Sequence, residues 1–236
     1  MQIYSQIFLG IITFLLGSII ASFLNVVAQS VPIGKNWWSR RSRCPHCQTL
    51  LTPKELIPIF SFIIQWGRCK SCYTKISSTY FATEVTGGLL FLTPLFLLEA
   101  PYTGIIQAWL FFSLLLTVTL TDIYYQLIPN KILISFAIGL FLIGGNVYVA
   151  LVGFFFFYLL LLLGKCLFKK EIIGGGDIKL YLLIGWVLSL QELFLSIFLS
   201  SGLALIYILM TGKNKPIPFA PFIALGAIIA YLTGLY

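Results

Sequence analysis

Residues 132–167 read ILISFAIGLFLIGGNVYVALVGFFFFYLLLLLGKCL and decide the fold. No charge interrupts the stretch before Lys165. A bilayer core is about 30 Å thick and takes about 20 apolar residues as one helix. Thirty-six residues are too many for one crossing. Gly144-Gly145-Asn146 supplies the break, giving runs at 132–146 and 147–167. Working outward, six further apolar runs occur at 7–29, 80–98, 104–121, 178–190, 193–211 and 219–236. The runs 132–146 and 178–190 are short for a full crossing, so tilted spans and a re-entrant segment both stay open. The first run is read as a span, not a removable signal peptide. Nothing charged precedes it, and it is longer than such a segment requires.

Composition agrees with this reading. Of 236 residues, 59% are hydrophobic and 9% charged, with 15 Lys/Arg and 7 Asp/Glu. Mean hydropathy is +1.00. Soluble domains carry about 25% charged residues, so a soluble globule is excluded. Disorder is excluded by the apolar content. Five cysteines in this length are too sparse for a secreted disulfide scaffold. The expected fold is an all-α polytopic membrane protein with about eight transmembrane helices and a small cytoplasmic loop module.

Charge orients the chain, because Lys and Arg concentrate on the cytoplasmic side. With both termini outside, the cytoplasmic segments are 32–79, 122–131, 165–179 and 212–218. They hold 8, 1, 4 and 2 Lys/Arg, which is all 15. The outer loops hold only Glu99 and Glu192. The net charge of +8 is therefore topological, and no nucleic-acid partner is called for. Trp37-Trp38 is read as a marker of the membrane interface. No repeat of 20–50 residues is evident. Three regions follow: a first span at 1–31, a cytoplasmic loop at 32–79, and a membrane core at 80–236.

Within the loop, Cys44-Pro45-His46-Cys47 and Cys69-Lys70-Ser71-Cys72 form two C-x2-C pairs separated by 21 residues. That spacing suits a tetrahedral Zn²⁺ site, and four thiolates close the shell. The metal would be structural and would supply folding energy to a loop with little core. His46 is read as a spectator and Cys166 as a small apolar filler.

Only two aspartates exist, Asp122 and Asp177, and both fall at the cytoplasmic membrane boundary. Carboxylates at membrane depth are costly and usually functional. Facing each other, they would form an aspartyl dyad. One would activate a water while the other, protonated, donates to a scissile carbonyl. Such a pair titrates as a unit. Gly174-Gly175-Gly176 ahead of Asp177 allows positive φ and close backbone approach. Pro129 ends or restarts a helix near Asp122. Taken singly, Asp122 is a juxtamembrane charge and Asp177 an N-cap. Glu84 suits the dipole at a helix start, with contact to a basic substrate as the alternative.

These residues resemble the bacterial type IV prepilin peptidases. Gly174-Gly175-Gly176-Asp177 with Lys179 is similar to the GxGD motif of their aspartyl protease class. Asp122 with Ile128-Pro129-Asn130 resembles their other aspartate motif. Ser22-Phe23-Leu24-Asn25-Val26-Val27 resembles their first span, and 44–72 with Glu55-Leu56-Ile57-Pro58 their zinc loop. Pro218-Phe219-Ala220-Pro221-Phe222 resembles the opening of their last span, with Ala220 where Gly is usual. The resemblance runs from about residue 17 to 226.

The resemblance implies a multi-pass enzyme of the bacterial cytoplasmic membrane with its active site facing the cytoplasm. It would cleave basic leaders from prepilins or pseudopilins, with Asp122 and Asp177 catalytic and Gly174, Gly176, Lys179 and Pro129 supporting. It would then N-methylate the new terminus with S-adenosylmethionine. Glu55, Arg68 and Lys75 mark the region for methylation. Substrates from type IV pili, type II secretion or competence pseudopili all fit. The rival reading is a proton-coupled transporter using Asp122 and Asp177 as a relay. Transporters favour internal repeats and midplane sites, and neither is evident.

Overall fold

The computed structural model describes residues 2–35, 42–97, 102–168, 174–212 and 217–234. Trp37-Trp38, Glu99 and Glu171 lie outside them. The described residues form helices α1 (Gln2–Ser30), α2 (Phe60–Ile64), α3 (Ser78–Leu97), α4 (Tyr102–Tyr125), α5 (Asn130–Ile143), α6 (Val147–Phe168), α7 (Gly175–Val187), α8 (Leu190–Thr211) and α9 (Ala220–Thr233). A 3₁₀ turn at Pro53–Leu56 precedes α2. Extended pairing among the described residues is confined to two isolated antiparallel bridges.

Each of the eight apolar runs coincides with one helix, the short α2 being additional. Among the described residues, four helices are long and apolar enough to cross a bilayer: Tyr4–Ser30, Tyr102–Tyr125, Val147–Leu167 and Leu190–Thr211. Helices α5 and α9 have 14 residues each and α7 has 13. At 1.5 Å per residue they span only about 20 Å. The outer faces are apolar: Phe198 is 75% exposed and Leu142 84%. That surface suits lipid rather than water.

The break at 144–146 has a clear physical basis. Gly144 leaves α5 with φ 99°, a backbone that favours glycine. A side chain on Gly145 would collide with Trp186. Asn146 donates its N–H to the Trp186 carbonyl at 2.9 Å, and its Oδ1 accepts the Val149 N–H at 3.2 Å, starting α6.

The chain divides into two compact units, Met1–Glu99 and Ala100–Tyr236. In the first, α1 and α3 pack along their length. Small residues allow it: a Cβ on Gly17 would lie 2.6 Å from the Gly87 carbonyl oxygen, and one on Gly87 would strike Ala21. In the second, α4 is central and buries Phe111, Phe112, Leu114, Leu115 and Val118. It packs on α5 and α9, while α7 packs on α6 and α5, and α8 on α9. Gly185 against the Val149 carbonyl and Gly226 against the Ser196 carbonyl let these helices close.

Candidate active site and metal centre

Asp122 occupies the last turn of α4 and Asp177 the first turn of α7. Asp122 is buried, and its Oδ2 accepts the Ala220 N–H that opens α9, at 2.8 Å. That N–H has no helical partner of its own, so the carboxylate satisfies it. The Asp177 N–H donates to the Gly174 carbonyl at 3.1 Å. The two carboxylates lie within electrostatic reach of each other. Residues 55 positions apart in sequence are thus brought to one place.

The surrounding motif residues explain the approach. Gln126 adopts φ 51° and ends α4, and Pro129 then restarts the chain as the residue before α5. Its carbonyl accepts the Ile132 N–H at 3.1 Å. A Cβ on Gly176 would lie 2.8 Å from Ile128 Cβ. A Cβ on Gly174 would lie 3.2 Å from Asp177 Oδ2, whereas Gly175 faces open space. Lys179 Nζ donates to Asn130 Oδ1 at 2.9 Å, joining α7 to the start of α5. The glycines serve here through missing side chains. Gly174 has φ −68°, and none of the three adopts the positive φ their sequence allowed.

One partner was hidden from sequence reasoning. Ala220 acts through its backbone N–H, which any residue but proline would supply, so only the surrounding motif signalled it. Tyr181, one turn after Asp177, was not singled out at all. It is fully buried, shares a hydrogen bond with Ser200 Oγ at 2.9 Å, and stacks on Phe157 at 4.0 Å.

In the first unit, the sulfurs of Cys44, Cys47, Cys69 and Cys72 all lie within 4.8 Å of one another. Cys44 and Cys72 sulfurs are 3.8 Å apart, and Cys47 and Cys69 sulfurs 3.9 Å. A tetrahedral ion with metal–sulfur bonds of about 2.3 Å separates its ligands by about 3.8 Å, so the cluster fits a metal ion such as zinc. His46 is not in the cluster.

The two knuckles repeat each other. Cys44 N–H donates to the Thr49 carbonyl at 3.0 Å, and Cys69 N–H to the Thr74 carbonyl at 2.9 Å. Gln48 and Tyr73 both have φ 58°. Bridges Arg43–Leu50 and Arg68–Lys75 close the two turns. This is a local repeat at an offset of 25 residues, written in the sequence as Arg-Cys-x-x-Cys-x-Thr at 43–49 and 68–74, which corrects the expectation that no repeat of that period occurs. The hydroxyl and N–H of Thr74 push the Cys72 thiol down to about 6, and those of Thr49 lower Cys47. Both effects favour the metal-binding thiolate.

The residues assigned to methylation are dispersed in role. Glu55 Oε2 accepts the Thr52 N–H at 2.8 Å and the Thr52 hydroxyl at 2.7 Å, capping the 3₁₀ turn. The same contacts hold its carboxyl below the usual range. Arg68 and Lys75 are exposed and face each other across the second knuckle. Glu84 does more than complement a helix dipole. It is buried, accepting the Ser22 hydroxyl at 2.8 Å and the Ile59 N–H at 2.7 Å. Cys166 is exposed near the end of α6, so it fills no gap.

Fold and site together define an all-helical membrane protein with aspartates at the ends of two contacting helices and a four-cysteine cluster. Residues 15–97 match the bacterial peptidase A24 N-terminal domain, and residues 109–209 match the type IV leader peptidase family. The boundary between the matches coincides with the boundary between the units. A prepilin leader peptidase/N-methyltransferase of Bacillus subtilis is 38% identical, over 94% of this chain and 94% of its own. One from Aeromonas hydrophila is 32% identical, over 94% and 90%. A type 4 prepilin-like protein leader peptide-processing enzyme of Escherichia coli is 31% identical, over 93% of each. No solved structure matches. The chain belongs to the type IV leader peptidase family and is an enzyme of that kind.

Proposed function

We propose that this enzyme cleaves the basic leader from type IV prepilins or pseudopilins at the cytoplasmic membrane face, then N-methylates the new terminus. The observation that supports the first half is the placement of Asp122 and Asp177 at the ends of the contacting helices α4 and α7. Two adjacent carboxylates do not both ionise cheaply, so the pair holds one proton between them. The ionised partner takes a proton from water as that water attacks the scissile carbonyl. The protonated partner donates to the carbonyl oxygen, and proton return to the leaving nitrogen breaks the C–N bond. The Ala220 N–H fixes Oδ2 of Asp122 and so orients the carboxylate for this work. Gly174 and Gly176 let Asp177 and Ile128 pack close, and the open side of Gly175 leaves room for a substrate backbone near the carboxylate.

All eight apolar helices cross the membrane in this reading, the short ones in a thinned or tilted setting. The Lys/Arg distribution supports a cytoplasmic active site. Leader and enzyme face are both basic, so long-range attraction does not recruit the substrate. The substrate's own apolar helix, lying in the same bilayer, anchors it.

Methylation falls to the 32–79 loop, and proteolysis to the core that follows. The four cysteines hold a structural Zn²⁺ that keeps the loop folded. Exposed Arg68 and Lys75 offer cations to the carboxylate of S-adenosylmethionine, and Glu55 offers a carboxylate to its ammonium. S-adenosylmethionine, when bound, supplies the methyl group. The names of the relatives support both activities.

The test is cleavage of a prepilin with a basic leader and a Gly-Phe junction by purified protein in detergent. Mass spectrometry reads the product's N-terminus. Asp122→Asn and Asp177→Asn are each expected to lower cleavage by at least about 10²–10⁴-fold, with membrane abundance unchanged. Either variant cleaving normally removes that residue from the mechanism. A one-methylene mass increase with S-adenosylmethionine reports methylation.

A further inference from the structure

The segment between the two knuckles is unlike a water-soluble loop. Phe60 is 53% exposed, Ile63 57%, Ile64 75% and Trp66 89%. A soluble module turns such side chains inward. Here they point outward on a segment that has bent toward the helices of its own unit. The Ile59 N–H reaches Glu84, which lies six residues into α3, and Glu84 also accepts from Ser22, eight residues before the end of α1. At 1.5 Å per residue those positions are about 9 and 12 Å in from the helix ends. Ile59 and Phe60 then line one apolar cleft with Gly10, Phe14 and Leu15 of α1 and Leu92 of α3. These are mid-helix positions on a candidate span and its partner.

Backbone at such depth must satisfy its own polar groups, and several N–H groups here find partners close by. Pro58 has no N–H. The Phe60 N–H donates to the Pro58 carbonyl at 2.6 Å, a γ-turn of the rare kind about Ile59, which adopts φ 66° and ψ −56°. That conformation is strained for a β-branched residue, and the bond to Glu84 holds it. Ser61, Ile63, Gln65, Trp66 and Gly67 donate within the segment, to Ile57, Ile59, Ser61, Ile63 and Phe62 carbonyls. Lys54 and Arg68, both exposed, stand at its two feet, where anionic lipid headgroups would meet them.

We propose that Leu56–Trp66 is a re-entrant element whose apolar tip rests on the acyl chains of the bilayer, held at depth by the Glu84 carboxylate. Lipid is the occupant because the patch continues the uncovered apolar face of α1, where Ile7 is 56% and Ile11 54% exposed. The element fixes the second cysteine knuckle, which begins two residues beyond it, at the membrane surface.

Collision measurements on the full-length protein in lipid nanodiscs test this. A nitroxide is attached through p-azidophenylalanine placed singly at position 54, 64 or 138. Oxygen, which concentrates in lipid, and a water-soluble nickel chelate are the probes. Position 138, on the exposed face of α5, is the lipid reference, and position 54 the aqueous one. Position 64 is expected to match 138, with oxygen collisions dominant. Nickel accessibility at 64 equal to that at 54 overturns the proposal. Exclusion of both probes overturns it too, since protein would then cover the tip. Glu84→Leu is expected to shift position 64 toward nickel while 138 stays unchanged. An unmoved position 64 in a protein with 138 unchanged removes Glu84 as the anchor. The wild-type readings decide the placement of the tip without any variant at Glu84.

Discussion

The two units hold their chemistry in opposite ways. In Met1–Glu99 the four cysteines sit on loop turns whose backbone hydrogen bonds run no further than nine residues along the chain, as from Leu51 to Ser42. In Ala100–Tyr236 the aspartates sit at helix ends, and their surroundings come from far away: Ala220 is 98 residues from Asp122. A bound metal would supply the first site with its rigidity, whereas helix packing supplies the second. The cluster is therefore expected to tolerate change in distant helices, and the aspartate site to tolerate change in the loop. Each variant below tests one side of that contrast.

The largest effect is expected from loss of the metal. Structural zinc contributes apparent folding energy of about 10 kcal/mol or more in small modules. Cys44→Ser with Cys47→Ser should leave no bound metal by elemental analysis, against about one ion per chain in wild type. Residues 42–76 should become sensitive to limited proteolysis, and methyl transfer should be lost. Prepilin cleavage should continue. If cleavage disappears as well, the aspartate site depends on the loop and the contrast fails.

Next in size is a glycine series. Gly176→Ala puts a Cβ 2.8 Å from Ile128 Cβ. Overpacking of this kind costs about 1–3 kcal/mol. Carried into the cleavage rate, that is about a 5- to 150-fold loss. Gly174→Ala meets the movable Asp177 carboxylate and should fall between Gly176→Ala and wild type. Gly175→Ala meets nothing and should cleave within about twofold of wild type. Gly87→Ala is the counterpart in the first unit, where the new methyl would strike Ala21. It should lower thermal stability, by about 1–3 kcal/mol of unfolding energy, and leave the cleavage rate per folded molecule unchanged. Equal losses from Gly175→Ala and Gly176→Ala would mean that helix propensity, not contact with Ile128, explains the motif.

What the sequence made legible follows the same contrast. The eight helices were legible because apolar runs and their breaks are local, as at Gly144-Gly145-Asn146. The cysteine cluster was legible because C-x2-C turns carry their geometry with them. The aspartates were legible only as rare charges within a family pattern, since no local rule brings α4 and α7 together. The Ala220 N–H was invisible because every non-proline residue has one. Glu84 was read as a local dipole contact, and its partners Ser22 and Ile59 lie 62 and 25 residues away. The bend of 56–66 was missed for a related reason. A run of five or six apolar residues is too short to register as a span, and its path depends on a γ-turn that no residue pattern announces.

The smallest effect concerns Lys179. Its Nζ reaches Asn130 Oδ1 at 2.9 Å on the exposed side of the α5–α7 junction. The bond connects the segment after Asp122 with the helix that carries Asp177, so it bears on the spacing of the pair. Exposed hydrogen bonds contribute little, about 0.5–1 kcal/mol, because water replaces either partner. Lys179→Met and Asn130→Ala should each slow cleavage about two- to fivefold by that measure. The double variant should be no slower than either single one, since both remove the same bond. Additive losses would mean that the lysine charge acts on its own, through substrate or headgroup. Strict non-additivity would show that even at its surface the aspartate site is held by contacts between distant segments, as the cysteine site is not.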